Sequence, residues 1–582
     1  MKKNINILYI AALTLVLGAM TGCNFLDKNP DMRASIDTKE KVRLLLVSAY
    51  TNANAGVICE FSSDNVIDNN SPDDTGHANS LLALSKMYDE IFAWQPVVSS
   101  GQQDSPKYIW DGCYSAIAAC NQALKAIEEL EAQGINMDAE RGEALISRAY
   151  HHFLLATVFC QTYKDEMLSR QDSGIHYMKA PETTVKPVYY RGTVTETYKA
   201  IQEDIEAALP LVSDEYYAVP RYHFNVKAAH AFAARFYLYT RQWDKALQEA
   251  NYVLTTDDAA TLGMLFDATY AKVECTDIQT EMNAWIDAKS PANLLIYTTM
   301  SQASYTVFTS YGRYQFNREP RDFTTSGAGP CWSGRFPGFS VWTASGGEYG
   351  SLLAWFYYLF EYTDKVNGYG YIHGVTRAFT TNETLLCRAE AKAQLNDLTG
   401  AVNDLRMWAQ SYNVNDNNKM QTLPNGDVDL TLAKIKSFYA KGGNVNLVPV
   451  LHNTDISSNW VLSEDQERVI DCVLHFRRLE SIHTGLRWHD IKRYGIEITH
   501  AQGTNPASTL IWNDDRRAIQ LPKKVIIAGM SANPRVNLGP NSGVDDNSSA
   551  VLLPTGTEPQ LTNIFEAKAL GAQITRQEDK TE

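Results

Sequence analysis

The sequence predicts a mostly α-helical fold: helix pairs stacked side by side, interrupted by one large loop-rich inserted region. Three observations carry this expectation. Apolar residues recur at the spacing of one helix face from about residue 105 to 256 and again from 380 to 411. The helical segments come in pairs, and a pair alone buries only half of its apolar face, so pairs must stack. Between the two runs, residues 255 to 380 exchange helical periodicity for Gly, Ser, Thr and aromatic residues.

The first residues read as an export signal. Lys2 and Lys3 precede an apolar run from Ile5 to Leu17 that is too short and too early for a membrane span. The run ends in Gly18-Ala19-Met20-Thr21-Gly22-Cys23, a lipobox in which Met20 stands where an aliphatic residue is usual. Residues 1–22 are therefore expected to be removed and Cys23 to carry the lipid, with several acyl chains giving firm retention. Asn24 to Asp31 form a short, largely polar leash, and no second apolar stretch of spanning length follows.

The body, residues 23–582, is long for one simple core. A formal charge of -15 and the absence of any basic run argue against a nucleic-acid partner. Eight cysteines remain after Cys23, none in a zinc-like pair; Cys113 and Cys120 are seven residues apart on a predicted helix, roughly 10 Å, beyond disulfide reach. Buried thiols are expected, with at most one disulfide. The 31 Tyr and 11 Trp exceed what a core needs, and exposed aromatic faces suit sugar rings or apolar side chains.

The elements follow in order. Tyr108 to Ile127 places Cys113, Ile117, Cys120, Leu124 and Ile127 on one helix face, and after a turn near Gly134 a second helix runs from Gly142 to Phe159. Val194, Tyr198, Ile201, Ile205 and Ala208 form the next stripe, ended by Pro210, and Val226 to Thr240 the one after. Arg241 to Leu254, RQWDKALQEANYVL, resembles the second half of a tetratricopeptide repeat, with Asp244 expected to cap the helix. A late pair spans Glu383 to Gln410. Residues 412–463 are irregular, 464–540 carry a patterned C-terminal segment, and 541–582 form a polar tail with little capacity for a core.

These residues bring the chain close to a known family. Cys23-Asn24-Phe25-Leu26-Asp27, then Trp110, Tyr114, Ile117 and Asn121, then Glu143-Ala144 with Arg148-Ala149-Tyr150, and above all Arg477-Arg478-Leu479-Glu480 with Gly485-Leu486-Arg487-Trp488-His489-Asp490-Ile491-Lys492-Arg493 carry the likeness. The chain resembles the SusD/RagB family of outer-membrane nutrient-binding lipoproteins. Thr484 replaces an acidic residue of the family pattern, and the near-terminal motif is reduced to Ile519-Gln520-Leu521-Pro522, while Asn533-Pro534 to Gly539 retain the last one. The resemblance implies a lipid-anchored protein on the outer membrane, facing the exterior. Its implied work is to hold a glycan or a peptide over a TonB-dependent, SusC-like transporter, without enzymatic activity or cofactor.

Physically, Arg477 to Arg493 is helix-forming, and Glu480, Arg487, Asp490 and Arg493 are expected to pair as scaffold beside Trp488. Motifs of serine hydrolases, zincins and nucleotide enzymes are missing, though a glycoside hydrolase needs only two carboxylates that sequence spacing does not reveal. His151 and His152, adjacent on a helix, point to different faces and are poor metal partners. Acidic loops such as Asp64 to Asp74 lack the ligand spacing of an EF-hand, and no metal is expected. Ligand contacts are expected from the aromatic and arginine-rich part of the insertion: Trp332, Trp342, Tyr311, Tyr314 and Arg313, with Trp94 as a further candidate. A docking role for the helical repeats is the competing reading, and both roles fit one protein.

Overall fold

The computed structural model describes residues 35–72, 75–183, 189–306, 312–344, 350–414 and 419–543, with the backbone of 574–576. The leader, Cys23, Tyr311 and nearly all of the tail beyond 543 lie outside the described residues.

Three short helices come first: α1 (Lys39–Leu46), α2 (Ala55–Ser62) and α3 (Lys86–Phe92). The first pair begins at α4 (Pro106–Glu131), where Ser105 caps the Tyr108 N–H and Pro106 occupies a first-turn position whose missing N–H costs nothing. Gly134, at φ +83°, makes the left-handed turn that a side chain would strain, and α5 (Asp138–Phe159) returns against α4. The predicted stripe from Cys113 to Ile127 is buried. Arg148 of α5 ties three helices together: it donates to Asn121 of α4 at 2.9 Å and clasps Asp204 of α6 (Val194–Ala208) at 2.7 and 2.8 Å.

The next pair is α7 (Val226–Tyr239) and α8 (Trp243–Leu254). Ala228, Ala229, Ala231, Ala233 and Ala234 are buried along α7 and let neighbouring helices approach closely. Asp244 does not cap α8: Gln242 is the N-cap, without a side-chain bond, and Arg241 makes the turn at φ +58°. Asp244 instead lies in the first turn, where its charge still favours the helix dipole. After the insertion, α8 packs on α10 (Thr381–Gln394), which pairs with α11 (Leu398–Ser411).

The insertion is more ordered than its composition implies. It holds α9 (Ile278–Trp285) and a three-stranded antiparallel sheet in which β2 (Asn293–Thr299) pairs with β7 (Tyr369–Thr380), and β7 with β6 (Leu359–Asp364). Long-range pairing of β2 with β7, Ile296 opposite Arg377, has no local sequence signal. Thr380 ends β7 and caps α10, so strand and repeat are joined without a loop. Two small pairings complete the sheets used below: β1 (Ile67–Asp68) with β3 (Tyr314–Gln315), and the hairpin β8 (Ile498–Gln502) with β9 (Asn505–Leu510).

The arginine-rich segment is two helices, not one: α12 (Glu464–Glu480) and α13 (Leu486–Tyr494). His483 at φ +65° and Gly485 at φ +81° break it, and a Cβ on Gly485 would stand 2.6 Å from the Gly56 carbonyl oxygen. The break lets α13 lie against α2. The charges pair in the interior: Arg477 with Asp490 (3.0 Å), and Arg493 with both Asp490 (2.7 Å) and Glu390 (2.7 Å). Arg487 reaches Asp64 at 2.8 Å, and Glu480 accepts from Trp408 Nε1 and Tyr412 Oη instead of from an arginine. All eight body cysteines are buried free thiols, so the one disulfide left open by the sequence does not form here.

Candidate ligand groove

A clasp of residues far apart in sequence lies beside the groove. Arg313, just ahead of β3, grips Asp68 of β1 with both ends of its fork, at 2.9 and 2.7 Å, and reaches Asp89 of α3 at 3.2 Å. Tyr314 donates to the same Asp89 oxygen at 2.6 Å and accepts from Gln502 Nε2 at 3.1 Å. The Gly503 N–H, at the β8–β9 turn, donates to Asp68 at 2.8 Å. The bond to Asp68 raises the Arg313 pKa above its ordinary value, and burial, then the bond to Asp89, raises that of the Tyr314 phenol. Arg313 therefore stays a cation and Tyr314 a neutral donor.

An aromatic column stands beside the clasp. Tyr314 packs on Phe92 (ring centroids 4.5 Å), Phe92 stacks on His500 (4.1 Å), and His500 on Trp94 (4.1 Å). The His500 ring nitrogens lie 2.8 and 3.0 Å from the carbonyls of Phe92 and Ser63; burial lowers its pKa, and those carbonyls work in the opposite direction. Trp94 closes the column from within, its Nε1 donating to the Ser62 carbonyl at 3.0 Å and Arg516 lying over its ring.

Against this column opens a groove of about 450 Å³, lined by Phe92, Gln95, Gln502, Asn505, Ser508 and Asn541 among others. Among the described residues its lining holds amides, hydroxyls and ring edges and no carboxylate. Each amide offers both donors and acceptors, the match for ligand hydroxyls, whereas acid–base chemistry would need a carboxyl in reach. The amides are positioned by backbone: Gln95 Nε2 donates to the Ser542 carbonyl at 2.9 Å and Asn541 Nδ2 to that of Ala507 at 3.0 Å.

The structure divides the predicted aromatic residues in two. Arg313, Tyr314 and Trp94 come together at the clasp and column. Trp332 and Trp342 do not join them. Trp332 is 1% exposed, packed among Phe336, His475 and Phe476, with its Nε1 donating to the Gly327 carbonyl at 2.9 Å. Trp342 is 2% exposed and donates to Glu281 at 2.7 Å. As placed, these two indoles are the insertion's own core, with no open face for a ligand to stack on; Trp94, at 4% exposure, has none either. The groove amides carried no motif, and Gln95, Gln502 and Asn541 are united only by the fold.

No group of three or more His, Cys, Asp or Glu placed to hold a metal occurs among the described residues. The histidine pair shows why packing suffices: His151 Nδ1 donates to the Ser147 carbonyl while Nε2 accepts from the Thr51 N–H, and His152 does the same with Arg148 and Met178. Burial lowers the His151 pKa to about 4 and takes His152 well below the usual range, so both are neutral. The described acids of the 64–74 loop face arginines: Asp64 meets Arg478 and Arg487, and Asp68 meets Arg313.

Residues 24–238 match the SusD-like family model described as "Starch-binding associating with outer membrane". The fold extends the likeness: a proposed sugar-binding protein of Bacteroides vulgatus superposes with a TM-score of 0.58 at 17% identity, over 86% of this chain and 99% of that one. Residues 24–238 thus match the SusD-like family, and the fold over most of the chain is SusD-like. A SusD-like carbohydrate binding protein of Bacteroides vulgatus superposes on this SusD-like chain at 0.54 and 16% identity, over 84% and 96% of the two chains. A SusD superfamily protein of Bacteroides thetaiotaomicron does so at 0.53 and 14%, over 85% and 99%. No curated protein sequence matches significantly. Among the described residues of this SusD-like protein, no helix is long and apolar enough to cross a membrane.

Proposed function

We propose that this SusD-like protein is a cell-surface binding protein that captures a neutral glycan in the groove beside the Tyr314–Phe92–His500–Trp94 column and delivers it to a TonB-dependent outer-membrane transporter. The observation that carries the reading is the groove's lining: amide and hydroxyl side chains beside the clasp, without a carboxylate among the described residues. Sugar hydroxyls need paired donors and acceptors, and a preformed site limits the entropy lost on binding. The family description, starch-binding and associating with the outer membrane, points the same way, as does the carbohydrate binding named for one of the structural neighbours. Retention at the membrane rests on Cys23 and its lipid, and the repeat helices offer the extended surface for the transporter.

The protein acts in this reading as a binder and not as an enzyme. The two acids of the neighbouring clasp, Asp68 and Asp89, are engaged by Arg313 and Tyr314, so they do not form a free acid–base pair. The test is titration of the soluble chain from Asn24 onward with neutral polysaccharides and oligosaccharides, followed by product analysis. Binding without cleavage supports the reading; cleavage, or binding to peptides alone, refutes it.

A further inference from the structure

A second pocket, apart from the groove, lies between the start of α2, the middle of α5, the β2–β7 sheet and the break before α13. Its volume is about 90 Å³, and Tyr150, Tyr297, Thr376, Arg377 and Trp355 are among its walls. Arg377 is the unusual member. Every other arginine turned into this part of the core has a carboxylate: Arg235 has Glu383, Arg477 has Asp490 and Arg493 has Glu390. The Arg377 side chain has neither a hydrogen bond nor an ion pair among the described residues. Its guanidinium lies over two indoles, 4.9 Å from the Trp355 ring centroid and 5.1 Å from that of Trp285.

A guanidinium carries five N–H donors, and burying it without acceptors is costly unless something else fills the fork. The nearest acid that acts on it, Glu480, does so through space, because its Oε2 accepts from Trp408 at 3.0 Å and Tyr412 at 2.7 Å. Burial accordingly lowers the Arg377 pKa below the ordinary guanidinium value. The side chain keeps partial solvent access and faces the pocket, so its donors are reachable from outside. Across the same pocket Tyr150 and Tyr297 share one hydrogen bond, Oη to Oη 3.1 Å, which uses one of their two hydroxyl protons. Stacking on Trp355 and Trp285 holds the fork flat and open, the preorganisation a planar bidentate ligand requires.

We propose that this pocket is a carboxylate-binding site with Arg377 as its fork. The volume is worth about three waters at roughly 30 Å³ each, enough for a carboxylate with one or two carbons and too small for a whole hexose ring. The ligand is thus either a short free organic acid or the carboxylate of a uronic acid whose ring rests at the mouth, near Asn54, Phe356 and Thr484. The site stands on Arg377 and does not depend on what the amide-lined groove holds.

Calorimetric titration of the folded soluble chain tests this, using acetate, propionate and glucuronate beside acetamide, propionamide and glucuronamide at fixed ionic strength. At least one acid is expected to bind ten-fold or more tightly than its amide, and Arg377→Met to remove that preference while circular dichroism stays unchanged. Preference for glucuronate alone identifies an acidic glycan as the source; preference for acetate or propionate identifies a free acid. Equal treatment of acids and amides by the wild-type chain overturns the proposal, and so does a folded Arg377→Met variant that keeps the preference. If that variant does not fold, the wild-type comparison decides alone.

Discussion

Arg313 holds Asp68 in a two-point clasp, at 2.9 and 2.7 Å, across 245 positions of sequence. That contact joins the β1–β3 pair to the β8–β9 turn through Gly503, next to the groove-lining Gln502. Arg313→Met is expected to lower stability by about 1–3 kcal/mol, less than for a fully buried pair because the arginine side chain is 21% exposed. Glycan affinity should fall with it, since Tyr314 and Gln502 lose their fixed neighbour. Urea unfolding and glycan titration of the variant check the two parts; full stability with full affinity would contradict the clasp's role.

Trp332→Ala should destabilise by about 3–5 kcal/mol, the ordinary cost of emptying a large aromatic from a core, while Trp332→Phe should cost much less. Folded protein from either variant should bind glycan as the wild type does. A selective loss of affinity at unchanged melting temperature would return Trp332 to the ligand.

Asp471 is one source of pH dependence. Burial raises the Asp471 pKa from 3.8 to about 8, its carboxylate oxygens lack hydrogen bonds, and Arg468 at 3.2 Å is a partial counterweight. The folded state therefore holds a proton that the unfolded chain releases above about pH 4. Stability from this group falls as pH rises from about 4 to 8 and is flat beyond. Asp471→Asn should be more stable than wild type at pH 8, by the order of a few kcal/mol, with the gain vanishing near pH 4. Chemical denaturation at both pH values checks it; a gain independent of pH would assign the effect elsewhere.

Cys23→Ala should leave the chain unlipidated and move it out of the membrane fraction, because the anchor proposed here is the lipid on that cysteine. Fractionation of cells expressing each form decides this, and a variant still in the membrane would refute anchoring through Cys23.

The helical half of the fold was legible because its determinants are local. The stripes from Cys113 to Ile127 and from Val194 to Ala208 lie within a few residues of the structure they cause. The sheet in the insertion was not, since β2 meets β7 across some eighty residues of irregular chain. Trp332 and Trp342 misled for a related reason: a Gly-rich aromatic segment reads the same whether its rings meet a ligand or one another, and here they meet Phe336, Phe476 and Glu281. Arg313, Tyr314 and Trp94 were in view as candidates, but their partners Asp68, Asp89 and His500 were joined to them only by folding. The groove's amides had no signal at all, because Gln95 and its Ser542 partner stand 447 positions apart.

The measurement closest to the central claim is calorimetric titration of the soluble wild-type chain and of a Gln502→Ala, Asn541→Ala double variant with the best-binding neutral glycan. Both side chains line the groove, and loss of one or two net hydrogen bonds is worth about 1–3 kcal/mol. The account predicts a drop in affinity of roughly ten- to a hundred-fold at unchanged melting temperature; undiminished affinity in the folded double variant would contradict it and move the ligand away from the groove.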